Sequence, residues 1–369
     1  MAEPTQNKLT KKWEFVFGYY DKGRRKQVRR RGFKTKREAS IALVELQKEV
    51  FSNEYMGRSV MTVGEFMQKW LDTERKLECE ATTYYNNCMY LRNNILPRIG
   101  DIRLQNLDAL TCQAFVNSMH EDGYARNTID RVVTLIKIAI DRAIVYKLIK
   151  DNHMRKVKLP QSLKREMIIW NTDQMNLFLQ SVKGKKYYCA YALALLTGMR
   201  QGEILGLRWK DIDYKRKVIT INQTLTYYGK QIKNGAKTKS GVRSISMPNQ
   251  LIMILKEQQA KYEKFKLKCK AFVDMDVVIF NQLNGKTVFP SNLTKAYQRD
   301  VRASGLPHIP FHSLRHCHAT MLIEKNVNVK LISERLGHSK IGITLDTYSH
   351  VIPSMQQEVA DQIDELIHL

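Results

Sequence analysis

From Met61 to Pro160 apolar residues recur at i, i+3, i+4 and i+7 through four successive stretches, TVGEFMQKWLDTERK, TTYYNNCMYLRNNILPRIG, TCQAFVNSMHEDG and RNTIDRVVTLIKIAIDRAIVYKLI. Such a period suits helices that each bury one face, and Pro97, Gly100 and Gly123 punctuate it, so a compact domain of four or five helices is expected. The pattern changes on both sides. Upstream lie short alternating runs and one helical stretch, and downstream helices mix with a strand-rich insert. The expected architecture is therefore multidomain, mainly α with small β-sheets. Its segments are 1–58, a small antiparallel sheet plus helix; 59–158, the helical domain; and 159–369, a mixed α+β domain ending in a tail helix. A chain of 369 residues supplies enough core for two or three domains.

In the first segment WEFVFGYYD and KGRRKQVRRRGF read as strands around a Gly-containing turn, with Trp13, Phe15, Phe17 and Tyr19 on one sheet face. Thr35 is a plausible N-cap for KREASIALVELQKEVF, in which Ala39, Leu43, Leu46 and Val50 share a face. Ten basic residues and no acidic one lie between Lys22 and Arg37. One reading is a solvated charged hairpin. The favoured one is a sheet that lays Arg24, Arg25, Lys26, Arg29, Arg30 and Arg31 along DNA, because phosphates reward clustered cations. Between the second and third segments, DNHMRKVKLPQSLKREMIIW is basic, contains proline and shows little periodicity; it reads as an interdomain linker able to track a DNA backbone.

Charge narrows the partner. Lys and Arg number 61 against 36 Asp and Glu, a net +25, and an excess of that size repels itself unless a polyanion compensates it. Nucleic acid is the leading candidate, well ahead of a membrane surface. No apolar run reaches the length of a membrane span, and MAEPTQNKLTKK lacks the apolar segment of a signal peptide, so a cytoplasmic, nucleoid-associated protein is expected. Six scattered cysteines without CxxC pairs favour free thiols over disulfides or a zinc site. Basic charge alone gives non-specific, salt-sensitive affinity, so the chemistry has to come from motifs.

Four stretches of the third segment concentrate Arg, Lys, His and Tyr. In LLTGMRQGEILGLRWKDID, Arg200 follows a buried-looking helix, and the neighbouring Gly198 and Gly202 allow it to approach a phosphate closely. In KTKSGVRSISMP, Lys239 sits at a turn between strands, with DYKRKVITINQTL as the other strand run and the polar YYGKQIKNGA as spacer. In IPFHSLRHCHATMLIEKN, His312 and Arg315 are three apart and share a helix face. In ISERLGHSKIGITLDTYSHV, His338 follows a glycine that reads as a helix C-cap, and Tyr348 falls on a following short helix. Singly these are weak: a lone arginine is more often a surface residue, and one of 17 tyrosines is more often core. His312, His316 and His318 lack a nearby cysteine or acidic ligand, so a metal cluster is not expected.

In the order Arg, Lys, HxxR, GH, Tyr the chain resembles the tyrosine recombinases, specifically the integrases of phages and mobile elements. The resemblance covers essentially the whole chain and is carried by TGMRQGEILGLRW, HSLRHCHAT, LGHSKIGITLDTYSH and the hairpin lysine. The helical middle, with NNILPRIGDIRLQNL, resembles the family's core-DNA-binding domain, and the basic N-terminal sheet its arm-binding domain. The resemblance implies that Arg200 and Arg315 clamp the scissile phosphate, that Lys239, His312 and His338 complete the basic set, and that Tyr348 is the nucleophile. Glu203 matches an acidic position that orients Arg200. Ser313 stands where many members have Asp, and Cys317 where Thr is common, which implies altered packing behind the site. Lys237 lies two residues from Lys239 and competes for its assignment. Implied partners are double-stranded DNA at attachment sites, a homotetramer in the synaptic complex, and an excisionase or host bending protein. The tail PSMQQEVADQIDELIHL is amphipathic and suits either a neighbouring protomer or its own domain.

The chemistry explains why these residue types are needed. Attack on a phosphodiester builds negative charge, and without a metal the cations must come from permanently charged, bidentate guanidiniums. A tyrosine hydroxyl, pKa about 10, needs its proton removed, for which His312 is suited, and the departing 5′-oxygen needs one, for which Lys239 is suited. A 3′-phosphotyrosine conserves the bond energy, so neither nucleotide nor other cofactor is expected, in keeping with the lack of a GxxxxGK[ST] motif. A type IB topoisomerase uses similar groups, and a non-enzymatic basic regulator is the remaining alternative; the arm-like segment and the spacing from LGHS to Tyr348 favour the recombinase.

Overall fold

In the computed structural model, the described residues are 3–21, 24–51, 61–161, 168–226, 232–234, 242–338, 340–342 and 345. The chain divides into two units, Met1–Leu163 and Lys164–Leu369.

The first unit opens with an antiparallel sheet of β1 (Thr5–Gln6), β2 (Trp13–Asp21) and β3 (Arg24–Phe33), in that order. Strand alternation sends Phe15 and Phe17 to the buried face, where Phe15 stacks on Phe33 at 5.7 Å. Helix α1 (Lys36–Phe51) covers them with Ala39, Leu43 and Leu46. Thr35 Oγ1 accepts the Glu38 amide at 3.1 Å, closing the first turn as an N-cap does. The other sheet face carries Arg29 and Arg31, which register opposite Val16 and Glu14; Glu14 accepts from Arg29 at 2.7 Å. Arg25, Lys26, Arg29, Arg30 and Arg31 are all exposed. Arg24 pairs by its backbone with Asp21; its side chain, and Lys22, lie outside what is described.

The helical part of this unit comprises α2 (Val63–Trp70), α3 (Lys76–Glu78), α4 (Ala81–Tyr90), α5 (Leu96–Ile99), α6 (Ala109–Glu121) and α7 (Arg126–Val145). Two π-turns, Leu71–Arg75 and Leu91–Ile95, carry α2 into α3 and α4 into α5, so these six segments amount to four long rods. A capping box starts α2, with Thr62 Oγ1 accepting the Glu65 amide and Glu65 Oε2 accepting the Thr62 amide. Helix α7 buries Ile129, Val132, Val133, Ile136, Ile140 and Ala143 against this core, the stripe that a 3.6-residue period dictates. The linker reading shrinks at both ends. Met154 is fully buried with Val157 and Leu159 packed on the helical core, and Trp170 is buried in the core of the second unit. Aperiodic segments can anchor through single large side chains, which a periodicity criterion does not register.

The second unit is built around α9 (Tyr188–Thr197), which is apolar on every side and buried from Cys189 to Leu195, as a helix enclosed by others must be. Around it lie α8 (Thr172–Ser181), α10 (Gln201–Gly206), α11 (Asn249–Lys268), α12 (Pro290–Ala303), α13 (Ser313–Glu324) and α14 (Val329–Leu336). Trp170, Phe178, Tyr191, Tyr297 and Phe311 form a tilted and edge-on aromatic cluster on its flank. A sheet of β4 (Ile212–Asp213), β5 (Val218–Ile221) and β8 (Arg243–Ser246) and a two-stranded ladder of β6 (Gln223–Leu225) with β7 (Ile232–Asn234) complete it. Strand β7 corrects the reading of YYGKQIKNGA as a spacer: Ile232 pairs with Leu225 and is partly buried on the main core. One apolar residue among polar neighbours was too little signal to mark a strand.

Candidate active site

Two helix C-termini organise the site. Helix α9 ends at Gly198 (φ 69°) and α14 at Gly337 (φ 68°), both left-handed caps that leave the last carbonyls of each helix pointing outward. Those carbonyls carry the negative end of the helix dipole, and arginines collect on them. Arg315, on α13 and 3% exposed, donates to Gly198 O at 2.8 Å and Leu336 O at 2.7 Å. Arg200, the N-cap residue of α10, donates to Gly337 O at 3.2 Å and to Glu203 Oε1 at 3.0 Å. Arg335 reaches Leu196 O and Ser246 O, and Arg243 reaches Arg335 O at 2.8 Å.

The glycines beside Arg200 serve this packing. A Cβ on Gly198 would lie 2.6 Å from Leu336 Cδ2 and 2.8 Å from His318 Cδ2, and one on Gly202 would lie 2.7 Å from Leu225 O. The tight backbone packing that these glycines were expected to allow is thus present at both positions, with protein atoms as the close neighbours.

His312 stands at the N-cap position of α13 and meets His316 edge-on, ring centroids 5.1 Å apart. Partial burial first, then the Arg315 and Arg200 cations, lower its pKa. His338 follows the Gly337 cap, and burial with the same two cations, His316 and Arg243 brings it to about 4. Arg200, His312, Arg315 and His338, spread over 139 positions of chain, thus share one electrostatic neighbourhood, and both histidines are neutral at physiological pH. Glu203 is 6% exposed; burial opposes its charge, yet bonds from Arg243 and Arg200 outweigh burial and hold its carboxyl below the usual range. Lys239, Lys237, Tyr348 and the tail from Pro353 to Leu369 lie outside the described residues.

Three residues outside the expected set belong to the same network: Arg243, His318 and Arg335. Arg243 was legible in principle. It shares strand parity with Ile245, which is 1% exposed, and both register opposite the buried Ile221 and Ile219. A basic residue at an inward parity position marks a buried ion pair. Ser313 and Cys317 are both buried, and Cys317 Sγ accepts the Trp170 amide at 3.3 Å.

The phage integrase family is matched over residues 170–355, half of the chain. The chain belongs to the phage integrase family. Its N-terminal SAM-like domain is matched over residues 62–120 and an arm DNA-binding domain over residues 5–50. The integrase is 27% identical to a XerC-like tyrosine recombinase of Caldanaerobacter subterraneus, over 90% of both chains. It is 28% identical to the ICEBs1 integrase of Bacillus subtilis, over 77% of this chain and 78% of that one. In structure it is similar to the Tn1549 transposon integrase in complex with transposon right end DNA, with a TM-score of 0.68 at 24% identity over 80% of this chain and 99% of that one. The lambda integrase tetramer bound to a Holliday junction gives a TM-score of 0.59 at 18% identity over 92% and 96%. The protein is thus a tyrosine recombinase, an enzyme that cuts and rejoins DNA in the integration and excision of a phage or integrative mobile element. Among the described residues no helix is long and apolar enough to cross a membrane.

The integrase should also be acid-sensitive. His318 is 2% exposed, and its Nδ1 lies 2.7 Å from Leu195 O while Nε2 accepts from Arg335 Nε at 3.1 Å. A carbonyl cannot donate, so Nδ1 carries the proton and the ring is neutral; burial, then Arg335, brings its pKa to about 4. The unfolded chain binds this proton near pH 6.5 and the folded one does not. Stability is therefore complete above pH 6.5 and falls as pH drops toward 4, by about 3 kcal/mol from this residue. Urea midpoints measured at pH 7.5 and 4.5 should show a loss at least this large, and His318→Gln should reduce it by about 2–3 kcal/mol, the remainder belonging to His312, His316 and His338, whose pKa values are also lowered. An equal acid loss in the variant would refute the assignment.

Proposed function

We propose that Tyr348 is the nucleophile and that Arg200, Lys239, His312, Arg315 and His338 complete the catalytic set. The convergence of Arg200, His312, Arg315 and His338 on the ends of α9 and α14 carries this reading. The Tyr348 oxygen forms a bond to phosphorus as the bond from phosphorus to the 5′-oxygen breaks. The phenolic proton passes to neutral His312, and Lys239 supplies a proton to the departing 5′-oxygen. Arg200 and Arg315 stabilise the charge on the phosphoryl oxygens. Attack by a 5′-hydroxyl of another strand reverses the step and completes the exchange.

In this reading segment 159–369 acts on attachment-site DNA, 59–158 grips the duplex beside it, and 1–58 binds accessory arm sites through the exposed Arg25, Lys26, Arg29, Arg30 and Arg31, joined by Arg24. The synaptic complex is a homotetramer assembled on double-stranded DNA in the bacterial cytoplasm, on the nucleoid, with an excisionase or host bending protein setting direction. One experiment separates the roles. With a nicked suicide substrate carrying core and arm sites, the full chain should form a covalent adduct, Tyr348→Phe should form none, and removal of residues 1–58 should abolish arm-site footprints while core cleavage persists. An adduct in Tyr348→Phe, or unchanged arm footprints after the truncation, would overturn the corresponding assignment.

A further inference from the structure

We infer that Arg243 is a positioning residue for strand cleavage, setting the Arg200 guanidinium through the Glu203 carboxylate and fastening the hairpin strand to the segment that carries His338. This rests on the catalytic reading above. The Arg243 and Glu203 side chains are 7% and 8% exposed and meet in a bidentate pair, Nη1 to Oε1 at 3.0 Å and Nη2 to Oε2 at 2.9 Å. The remaining donor, Nε, bonds Arg335 O at 2.8 Å, in the last turn of α14. Gly337 packs directly against the guanidinium, where a Cβ would come within 2.9 Å of Nη1. All three nitrogens of Arg243 are thus committed to two elements of the site, from a strand whose N-terminal side leads back to Lys239. Lysine, a point charge, cannot reproduce such a fork.

The consequence for Arg200 is electrostatic. Glu203 already accepts the Arg200 amide at 2.8 Å and Nη1 at 3.0 Å. One carboxylate shared by two guanidiniums leaves the group with net positive charge, and Arg200 uses a single Nη on it while the other turns to Gly337 O. Without Arg243 the whole carboxylate would face Arg200, which could then close onto it as a neutral, bidentate pair. The phosphate would lose a cation although no phosphate-touching residue had been changed. Among the described residues, the charged and titratable groups facing Glu203 are Arg200, Arg243 and His312.

The test is a double-mutant cycle on full-length protein, read as the rate of adduct formation on a nicked suicide substrate, whichever residue carries the adduct. Arg243→Gln should slow single-turnover cleavage by about 10²-fold while the DNA concentration at half-saturation changes by no more than about threefold, because duplex affinity is spread over many other phosphate contacts. Glu203→Gln should slow the wild type by about tenfold or more but cost Arg243→Gln less than about threefold, the non-additivity of residues acting through one another. If melting shows that Arg243→Gln does not fold, Arg243→Lys is used instead, with the same slowing at unchanged half-saturation expected. Cleavage near the wild-type rate, additive losses, or a loss confined to DNA affinity would overturn the proposal. Tyr348→Phe with an intact adduct would instead overturn the nucleophile assignment and leave the cycle readable.

Discussion

Replacing Arg315 with lysine is expected to slow DNA cleavage by about 10²–10³-fold, the usual cost of losing one preorganised donor to a developing oxyanion. The guanidinium is 3% exposed and spans two acceptors, Gly198 O and Leu336 O, on helix ends that are 138 residues apart in sequence. A planar fork can hold both carbonyls and still present an N–H edge to a phosphate. An ammonium on a flexible stem can satisfy one or two of these partners, at the wrong angles. Single-turnover cleavage of a suicide substrate checks the loss, and gel-shift affinity should change far less. A lysine variant within about tenfold of the wild-type rate would mean that Arg315 is structural.

Gly198→Ala is expected to destabilise the second unit by about 2–5 kcal/mol. Placing an L-residue at φ 69° costs about 1–2 kcal/mol, and overpacking adds about 1–3 kcal/mol. The atoms in the way, Leu336 Cδ2 at 2.6 Å and His318 Cδ2 at 2.8 Å, belong to side chains at or below 2% exposure, so neither has space to yield. The melting temperature should drop by about 4–20 °C. Cleavage should drop as well, because the carbonyl of this residue holds Arg315. Unchanged melting would show that α14 can shift freely against α9, and with it that the two helix ends do not form a rigid frame.

Much of this architecture was legible from periodicity. The helices between Val63 and Val145 announce themselves because each must hide one face, and Ile129 through Ala143 in α7 trace that face without a break. The strand pair of the first segment was legible from the alternation of Phe15 and Phe17 and the turn between the runs. What escaped lacked a period. Strand β7 offers one apolar residue, Ile232, and β1 spans two residues. Met154 is a single large side chain in an otherwise polar run, and Trp170 ends the apolar run that starts at Met167, too short to show a period. In the site, motif order placed Arg200, His312, Arg315 and His338 together, but nothing local to a motif reports what lies behind it. Glu203 was expected to orient Arg200; that it is divided between Arg200 and Arg243 depends on a helix-to-strand contact across 40 residues, which a linear pattern does not contain.

The choice of helix carbonyls as partners for arginine has a consequence for how the enzyme meets a phosphate. A carboxylate cancels the cation it positions, and a ligand phosphate must compete with it; Glu14 stands in that relation to Arg29 on the N-terminal sheet. A carbonyl oxygen brings only partial charge, so it fixes the geometry of Arg315 and Arg335 while their fields persist. A phosphate of the arriving backbone can then enter that field without competing for charge with those carbonyls. On the arm sheet, by contrast, a phosphate that takes Arg29 must displace the Glu14 carboxylate from it.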